Sequence, residues 1–106
     1  GYGIGVLDVA QRALAIHPLD RAPDHVRVHP KGTHVTFSVG GGARSEIAAM
    51  PIGGGPVTVL TDNRVRDRYP RFSADGARIW YETLDDDPNF PKRRTVAFPA
   101  SVPFRP

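Results

Sequence analysis

The sequence predicts an all-β fold assembled from repeated four-stranded sheets. The first observation is an internal repeat: HVRVHPKGTHVTFS at His25–Ser38 is matched by RYPRFSADGARIWYE at Arg68–Glu82, with Gly32 aligned on Gly76, 44 residues later. The second is composition, because 11 Gly and 11 Pro are spread as turn residues along 106 positions. A period in the forties built from strand–turn–strand units is typical of a β-propeller, in which one repeat is one blade.

Composition limits the classes of protein to which the chain belongs. At 106 residues it is one small domain or part of a larger one, and 40% apolar with 24% charged residues is typical of a folded globular protein. The absence of cysteine excludes disulfides and thiolate metal sites. No apolar run approaches the ~20 residues that span a bilayer. The net charge of +3 is too small for a nucleic-acid-binding surface, although 12 of the 14 cations are Arg, which binds carboxylates and phosphates well.

Residues 1–23 are predicted to hold the last two strands of a first blade, whose strands we letter A to D from the hub outward. Ile4–Val9 matches Ile47–Ile52, and Ala13–His17 matches Pro56–Leu60, both 43 residues later. Ile4–Val9 is therefore assigned to strand C and Ala13–His17 to strand D.

Residues 24–61 are predicted to form one complete blade. Its A and B strands flank a turn at Pro30–Gly32, and a glycine run then leads to strand C at Glu46–Ile52. Gly53–Pro56 turns the chain into strand D at Val57–Thr61. The β-branched and aliphatic residues of these segments are typical of pleated, half-buried strands.

Residues 62–106 are predicted to supply strands A, B and C of the next blade. Tyr69–Ser73 enters a turn whose Asp-Gly pair provides the positive φ that a tight hairpin needs, and Arg78–Thr83 returns as strand B. Strand C is expected at Arg94–Pro99, aligned 49 residues after that of the preceding blade. On this alignment the connection before it is five residues longer than its counterpart.

The second repeat resembles the WD40-like (PD40) repeat of the TolB-like propellers. The signature of that family is roughly P-x-F/W-S-P-D-G-x-x-I-x-F/Y, followed by a Gly-Gly turn and a closing L-T. The matching residues are Pro70, Phe72, Ser73, Asp75, Gly76, Ile79 and Tyr81, and in the preceding blade Gly54, Gly55, Leu60 and Thr61. Ala74 stands where the family has proline, and the first repeat departs from the pattern at Val28, His29 and Lys31. The resemblance implies propeller blades along essentially the whole chain.

Two blades plus one strand leave apolar sheet faces without neighbours. Propellers usually have 4–8 blades, and repeat units bury their faces against one another. The chain is therefore expected to be a fragment of a longer propeller or a subunit of a closed ring of identical copies. Three copies would supply six blades, the number usual in TolB-like propellers.

The best candidate for a binding surface is the face that carries the B–C and D–A connections. These connections are residues 17–23, 39–45, 62–67 and 83–93, and binding residues concentrate on loops held by a rigid scaffold. The predicted partner-binding residues are Arg64, Arg66, Asp85, Asp86, Asp87, Phe90, Lys92 and Arg93. Arg64, Arg66 and Arg68 alternate and, together with Arg21, Arg44, Lys92 and Arg93, would form a basic rim that attracts carboxylate-rich peptides or acidic glycans.

Each of these residues also has a structural interpretation. Asp85–Asp87 has the oxygen ligands of a Ca²⁺ site but lacks the alternating ligand pattern of such loops, which favours a solvated acidic turn. Phe90, between two prolines, is either an exposed anchor for a partner or a cap on the blade. The arginines on this face are expected to pair with neighbouring aspartates.

No catalytic, metal or cofactor site is predicted. His25, His29 and His34 fall on ordinary blade positions, those of Tyr69, Ser73 and Arg78 in the other repeat. The turn explains Ser73 and Asp75, no G-x-S-x-G nucleophile elbow exists, and neither glycine run continues as a phosphate-binding loop.

The function predicted from the sequence is a non-catalytic module that holds a protein or peptide partner at its loop face. For the TolB-like family the resemblance implies a periplasmic or secreted location and a role in envelope protein interactions. Two alternatives remain open: an accessory propeller of a prolyl-oligopeptidase-like serine peptidase, and a small ring-forming lectin with Trp80 or Tyr81 in its sites. For Trp80 itself, packing in the core is the favoured interpretation, because interior blades are buried on both faces.

Overall fold

The computed structural model describes residues 2–8, 13–19, 23–41, 44–62, 65–84 and 89–98, which form nine strands and no helix. The strands are β1 (Tyr2–Asp8), β2 (Ala13–Leu19), β3 (Pro23–Val28), β4 (His34–Gly41), β5 (Arg44–Pro51), β6 (Thr58–Val59), β7 (Asp67–Phe72), β8 (Arg78–Thr83) and β9 (Lys92–Ala97). They build three antiparallel sheets, β1-β2, β3-β4-β5-β6 and β7-β8-β9. The predicted all-β fold of propeller blades is confirmed. Within these ranges no helix is long and apolar enough to cross a membrane.

The A–B hairpins of the two repeats have the same turn. Gly32 and Gly76 both have positive φ, 70° and 74°, and their N–H groups donate to His29 O and Ser73 O at 2.8 and 2.9 Å. In the second turn the Asp75 carboxylate accepts bonds from the Ser73 hydroxyl at 2.7 Å and from the Ala77 N–H at 3.0 Å. The Ser73 bond and then the Ala77 bond lower the pKa of Asp75. The Ser-x-Asp-Gly motif is therefore turn chemistry.

Both repeats also contain the same bulge in strand A. The pairing register shifts between Asp24 and Arg27 and again between Arg68 and Arg71. His25 and Tyr69 are the only non-glycine residues with positive φ in the described chain, at 53° and 56°. Their rings contact edge-on, with centroids 4.3 Å apart. A bulge re-aims the strand locally, and here it places two aromatic rings against each other across the blade boundary.

The strand register corrects the predicted alignment of strand C. Thr36 pairs with Ala49, and Trp80 pairs with Thr95. β8 therefore follows β4 by 44 residues and β9 follows β5 by 46, so that the offset of 49 and the five-residue insertion are wrong. The insertion is two residues. The apolar pairs decide the register, because Val96 pairs with Ile79 as Met50 pairs with Val35, and a one-residue slip would turn these side chains out of the core.

The central sheet is buried on both faces. One face packs on the β1-β2 sheet through a core of Ile4, Val35, Phe37, Val39, Ala48 and Met50. The other packs on the β7-β9 sheet through a core of Ile47, Ala49, Ile79, Tyr81 and Phe98. Because side chains alternate along a strand, neighbours such as Ala48 and Ala49 serve opposite cores. Strand D is shorter than predicted: only Thr58–Val59 pairs with β5.

His29 joins the two hairpin turns across the blade boundary. Its Nδ1 accepts a bond from the Lys31 N–H at 3.0 Å, so the proton of the neutral ring is on Nε2, which donates to Gly76 O at 3.2 Å. The ring also lies edge-on to Phe72, with centroids 4.8 Å apart. A Cβ placed on Gly76 would collide with this imidazole, whereas a Cβ placed on Gly32 would meet open space. The contact therefore requires glycine at position 76.

Gly76→Ala is expected to destabilise the chain more than Gly32→Ala. Both changes place alanine at positive φ, which costs about 1–2 kcal/mol. Only Gly76→Ala also displaces His29, which adds roughly 1–3 kcal/mol of overpacking. Chemical denaturation of both variants measures the difference. Combining Gly76→Ala with His29→Ala should remove the additional loss of stability that Gly76→Ala shows over Gly32→Ala. Equal losses of stability in the two glycine variants would contradict the contact between Gly76 and His29.

Acidification is expected to weaken the packing around His34. Burial, and then the neighbouring His29, lower the pKa of His34 from its usual 6.5, so the folded chain binds fewer protons there than the unfolded chain. The resulting stability is complete above pH 6.5 and declines as the pH falls from 6.5 toward the folded-state pKa. Thermal unfolding at several pH values should show a weaker acid-induced loss for His34→Gln than for the parent chain. An unchanged pH dependence would be evidence against this role.

Candidate functional site

Three of the predicted connections meet at one face of the molecule. Ser45 forms a parallel bridge with Arg66, and its N–H donates to Val65 O at 3.3 Å. The Ser45 hydroxyl donates to Asp67 O at 2.7 Å, and the Leu84 N–H donates to Arg66 O at 3.0 Å. We call this surface the loop face, defined by Arg44–Ser45, Val65–Asp67 and Thr83–Leu84. Backbone bonds between loops of different blades give it a fixed geometry.

Four of the eight predicted partner-binding residues can be placed. Arg64 and Asp85–Asp87 lie outside the described residues. Arg66 is exposed at the bridge to Ser45. Phe90 precedes β9 at the loop-face end of its sheet and is 74% exposed. Lys92 pairs with Thr83 at the same end, and Arg93 pairs with Glu82 one residue further along.

Two arginines of the predicted basic rim are engaged with carboxylates. An Nη of Arg44 lies 3.4 Å from Asp62 Oδ1, and its Nε lies 4.0 Å from Glu46 Oε1. Arg68 Nε lies 3.4 Å from Glu82 Oε1, and its guanidinium lies over the Tyr69 ring, 4.7 Å from the centroid. Ion pairs at exposed sites contribute little stability, but they occupy donors that a partner would otherwise use. The expected pairing with an aspartate is therefore found for Arg44, whereas Arg68 pairs with a glutamate instead.

A buried carboxylate at the edge of the loop face was missed by sequence reasoning. Glu46 is 6% exposed, and its Oε2 accepts a bond from the Thr61 hydroxyl at 2.6 Å. The same Thr61 oxygen accepts the Ile47 N–H at 2.9 Å. Thr61 thus joins the end of the blade to strand C, which explains the closing L-T of the repeat. A cleft of about 610 Å³ opens beside these residues, between β5 and the β6–β7 connection.

A second cleft, of about 280 Å³, extends from Arg27 on β3 across β7 to the face of β8 and β9 that carries Trp80. Trp80 lines it and is 37% exposed in the described chain, whereas the sequence predicted that it packs between blades. The reason is that no other sheet covers this face in the described part of the chain. Arg93 lines the same cleft. The structure therefore separates Arg93 from Phe90, which the sequence had grouped.

Metal binding finds no support in the ranges that the structure describes. There, no group of three or more His, Cys, Asp or Glu side chains is arranged to hold an ion. His29 and His34 face Phe98 and each other, with ring centroids 6.2 Å apart, and are part of the blade boundary.

Comparison with known proteins bears on the fold alone. The crystal structure of TolB from Acinetobacter baumannii superposes with a TM-score of 0.65 over 91% of this chain. The chain has the fold of part of a TolB-like propeller. It is 18% identical to that TolB and spans 24% of its length. No family model matches the sequence, and no curated protein is similar to it.

Thr61→Val is expected to destabilise the chain by about 1–3 kcal/mol, because it leaves the buried Glu46 carboxylate and the Ile47 N–H without their shared partner. Thr58→Val is the matched control, since Thr58 is exposed on β6, three residues before Thr61. Urea denaturation compares the two variants. Equal stabilities would show that the Thr61 bonds contribute nothing measurable.

Proposed function

We propose that the chain is a non-catalytic binding module that holds a protein or peptide partner at its loop face. The observation that carries the proposal is the exposure of Phe90. At 74% it is the most exposed of the large hydrophobic side chains in the described ranges, ahead of Val28 at 55%. Exposed aromatic side chains are typical anchors of protein interfaces. The pairing of Lys92 with Thr83 and the backbone bond from Leu84 to Arg66 connect the start of β9, next to Phe90, to the loop face.

The charge around Phe90 favours a partner with acidic residues. Lys92 and Arg66 are exposed near the same end of the sheet. Cations at the rim of an interface mainly accelerate association and select against partners of like charge. The proposed partner is therefore a protein segment with an apolar side chain for the Phe90 contact and carboxylates beside it.

The hydrogen bonds of the serines in the described chain support a non-catalytic role. The hydroxyls of Ser45 and Ser73 donate to Asp67 O and to the Asp75 carboxylate, and Ser38 donates to Asp24 O at 3.3 Å. Each bond belongs to a strand or turn, and none joins a serine to a histidine base as nucleophilic catalysis requires. A periplasmic or secreted location is proposed on the likeness to TolB. In a longer propeller the partner would contact further blades as well.

Phe90→Ala is expected to weaken partner binding about tenfold or more, as removal of an aromatic anchor does. The probe is an acidic peptide selected on the 106-residue chain from a random phage-displayed library, with binding measured by fluorescence anisotropy. Val28→Ala is the control, because Val28 is also exposed but lies beside the hairpin turn at the other end of its strand. Salt should weaken the parent complex mainly through slower association.

Two outcomes would overturn the proposal. One is a selected peptide that loses affinity with Val28→Ala and keeps it with Phe90→Ala. The other is a library from which the chain selects no peptide while it remains folded by circular dichroism.

A further inference from the structure

The cleft beside Trp80 is a second surface, separate from the loop face. It runs from β3 of the central sheet across β7 to β8 and β9, and its volume is about 280 Å³. The side chains that matter for its chemistry are Arg27, Tyr69, Arg71, Trp80, Glu82 and Arg93. We call it the arginine cleft. Two aromatic side chains and three arginines line a space near the lower limit for small-molecule sites.

The face that carries this cleft differs from the equivalent face of the central sheet. On the central sheet, the face that packs on the next blade carries Thr36, Ser38, Ile47 and Ala49, all buried. The strand register places Trp80, Glu82, Arg93 and Thr95 at the corresponding positions. Small and apolar side chains of the central sheet are thus replaced by the Trp80 ring and by two charged side chains on neighbouring strands, Glu82 and Arg93. Covering Arg93 and Glu82 with another sheet would carry the desolvation cost of two charged groups.

The charges of the cleft favour an anion. Glu82 is the one carboxylate among its lining residues, and it already pairs with Arg68 at 3.4 Å. None of the ion pairs in the described part of the chain involves Arg27, Arg71 or Arg93. Arginine is suited to this role because its planar donors match a carboxylate in a bidentate way.

The aromatic side chains add an apolar surface at a defined position. Tyr69 is held by the bulge, by the edge-on contact with His25 and by Arg68 on its face. Trp80 is fixed in the middle strand by pairing with Arg71 on one side and Thr95 on the other. Aromatic rings next to arginines suit a ligand that carries a planar or apolar group and, attached to it, a negative charge.

We propose that the arginine cleft binds a small organic carboxylate, with the carboxylate at Arg71 and Arg93 and the apolar or ring-shaped body on Trp80. This function does not depend on the proposed loop face. It makes a specific distinction between ligands: the charged acid binds, and its neutral amide of the same shape does not.

Trp80 is the one tryptophan of the chain, so it reports on the cleft directly. The probes are phenylacetate and, as the neutral counterpart, phenylacetamide. Titration is followed by tryptophan fluorescence and by the single indole N–H signal in NMR. Phenylacetate should give saturable changes at constant ionic strength, whereas phenylacetamide should bind at least about tenfold more weakly, the usual effect of losing a charge-assisted bond.

Arg71→Gln and Arg93→Gln should each raise the dissociation constant of phenylacetate about tenfold. Arg78→Gln is the matched control and should leave it unchanged. Arg78 lies on β8 two residues before Trp80, but it donates to the Thr95 hydroxyl at 2.9 Å and does not line the cleft. Phe90→Ala should also leave it unchanged, which separates this result from the test of the loop face.

Three results would overturn the proposal. Equal responses to the acid and the amide would mean that the guanidinium groups do not recognise the ligand. Unchanged affinity in both arginine variants would place the ligand elsewhere. A Trp80 signal that shifts with protein concentration, together with a mass above 11.5 kDa in light scattering, would show that a second copy covers this face.

Discussion

Burial of the central sheet on both faces is the constraint on which the rest of the structure depends. Phe37 and Ala48 belong to one core, and Ile47 and Ala49 to the other, so neither face is available to a ligand. A repeat that cannot bury its own faces gains stability only from its neighbours. The hydrogen bond from His29 to Gly76 belongs to the same boundary and joins the two turns where the cores end. In the described part of the chain, ligands can therefore reach the connections and the face of the β7-β9 sheet that carries Trp80.

The repeat in the sequence was sufficient to predict strands and turns, since hairpin turns follow local rules. Gly32 and Gly76 have the positive φ that their position in the pattern requires. The bulge at His25 and Tyr69 could not be predicted in this way, because tyrosine does not indicate a left-handed conformation and the enrichment of histidine there is too weak to locate a bulge. The length of the β8–β9 connection was misjudged for a related reason. Sequence identity between the two C strands is weak, and only the pairing of Val96 with Ile79 determines their register.

The candidate sites show the limit of reasoning from sequence proximity. Phe90 and Arg93 are three residues apart, but strand alternation and register direct Arg93 to the cleft of Trp80 and leave Phe90 at the loop face. Glu46 looks like an exposed strand residue in the sequence, yet Thr61 and Arg44 enclose it. The bond from Thr61 to Glu46 spans 15 residues, a separation that no local sequence pattern contains. The all-β class was predictable because periodicity alone specifies it.

The order of residues in β9 has a consequence for solubility. In the described part of the chain β9 is the last strand of its sheet, and unpaired edge strands are templates for intermolecular β-pairing and fibril growth. β9 begins with Lys92, Arg93 and Arg94, all exposed. Three consecutive cations repel the identical edge of another molecule, since stacking two copies would bring like charges together. Lys92 and Arg93, which the sequence predicts to bind a partner, thus also oppose aggregation. Substitutions that remove their charge would therefore alter partner binding and resistance to aggregation together.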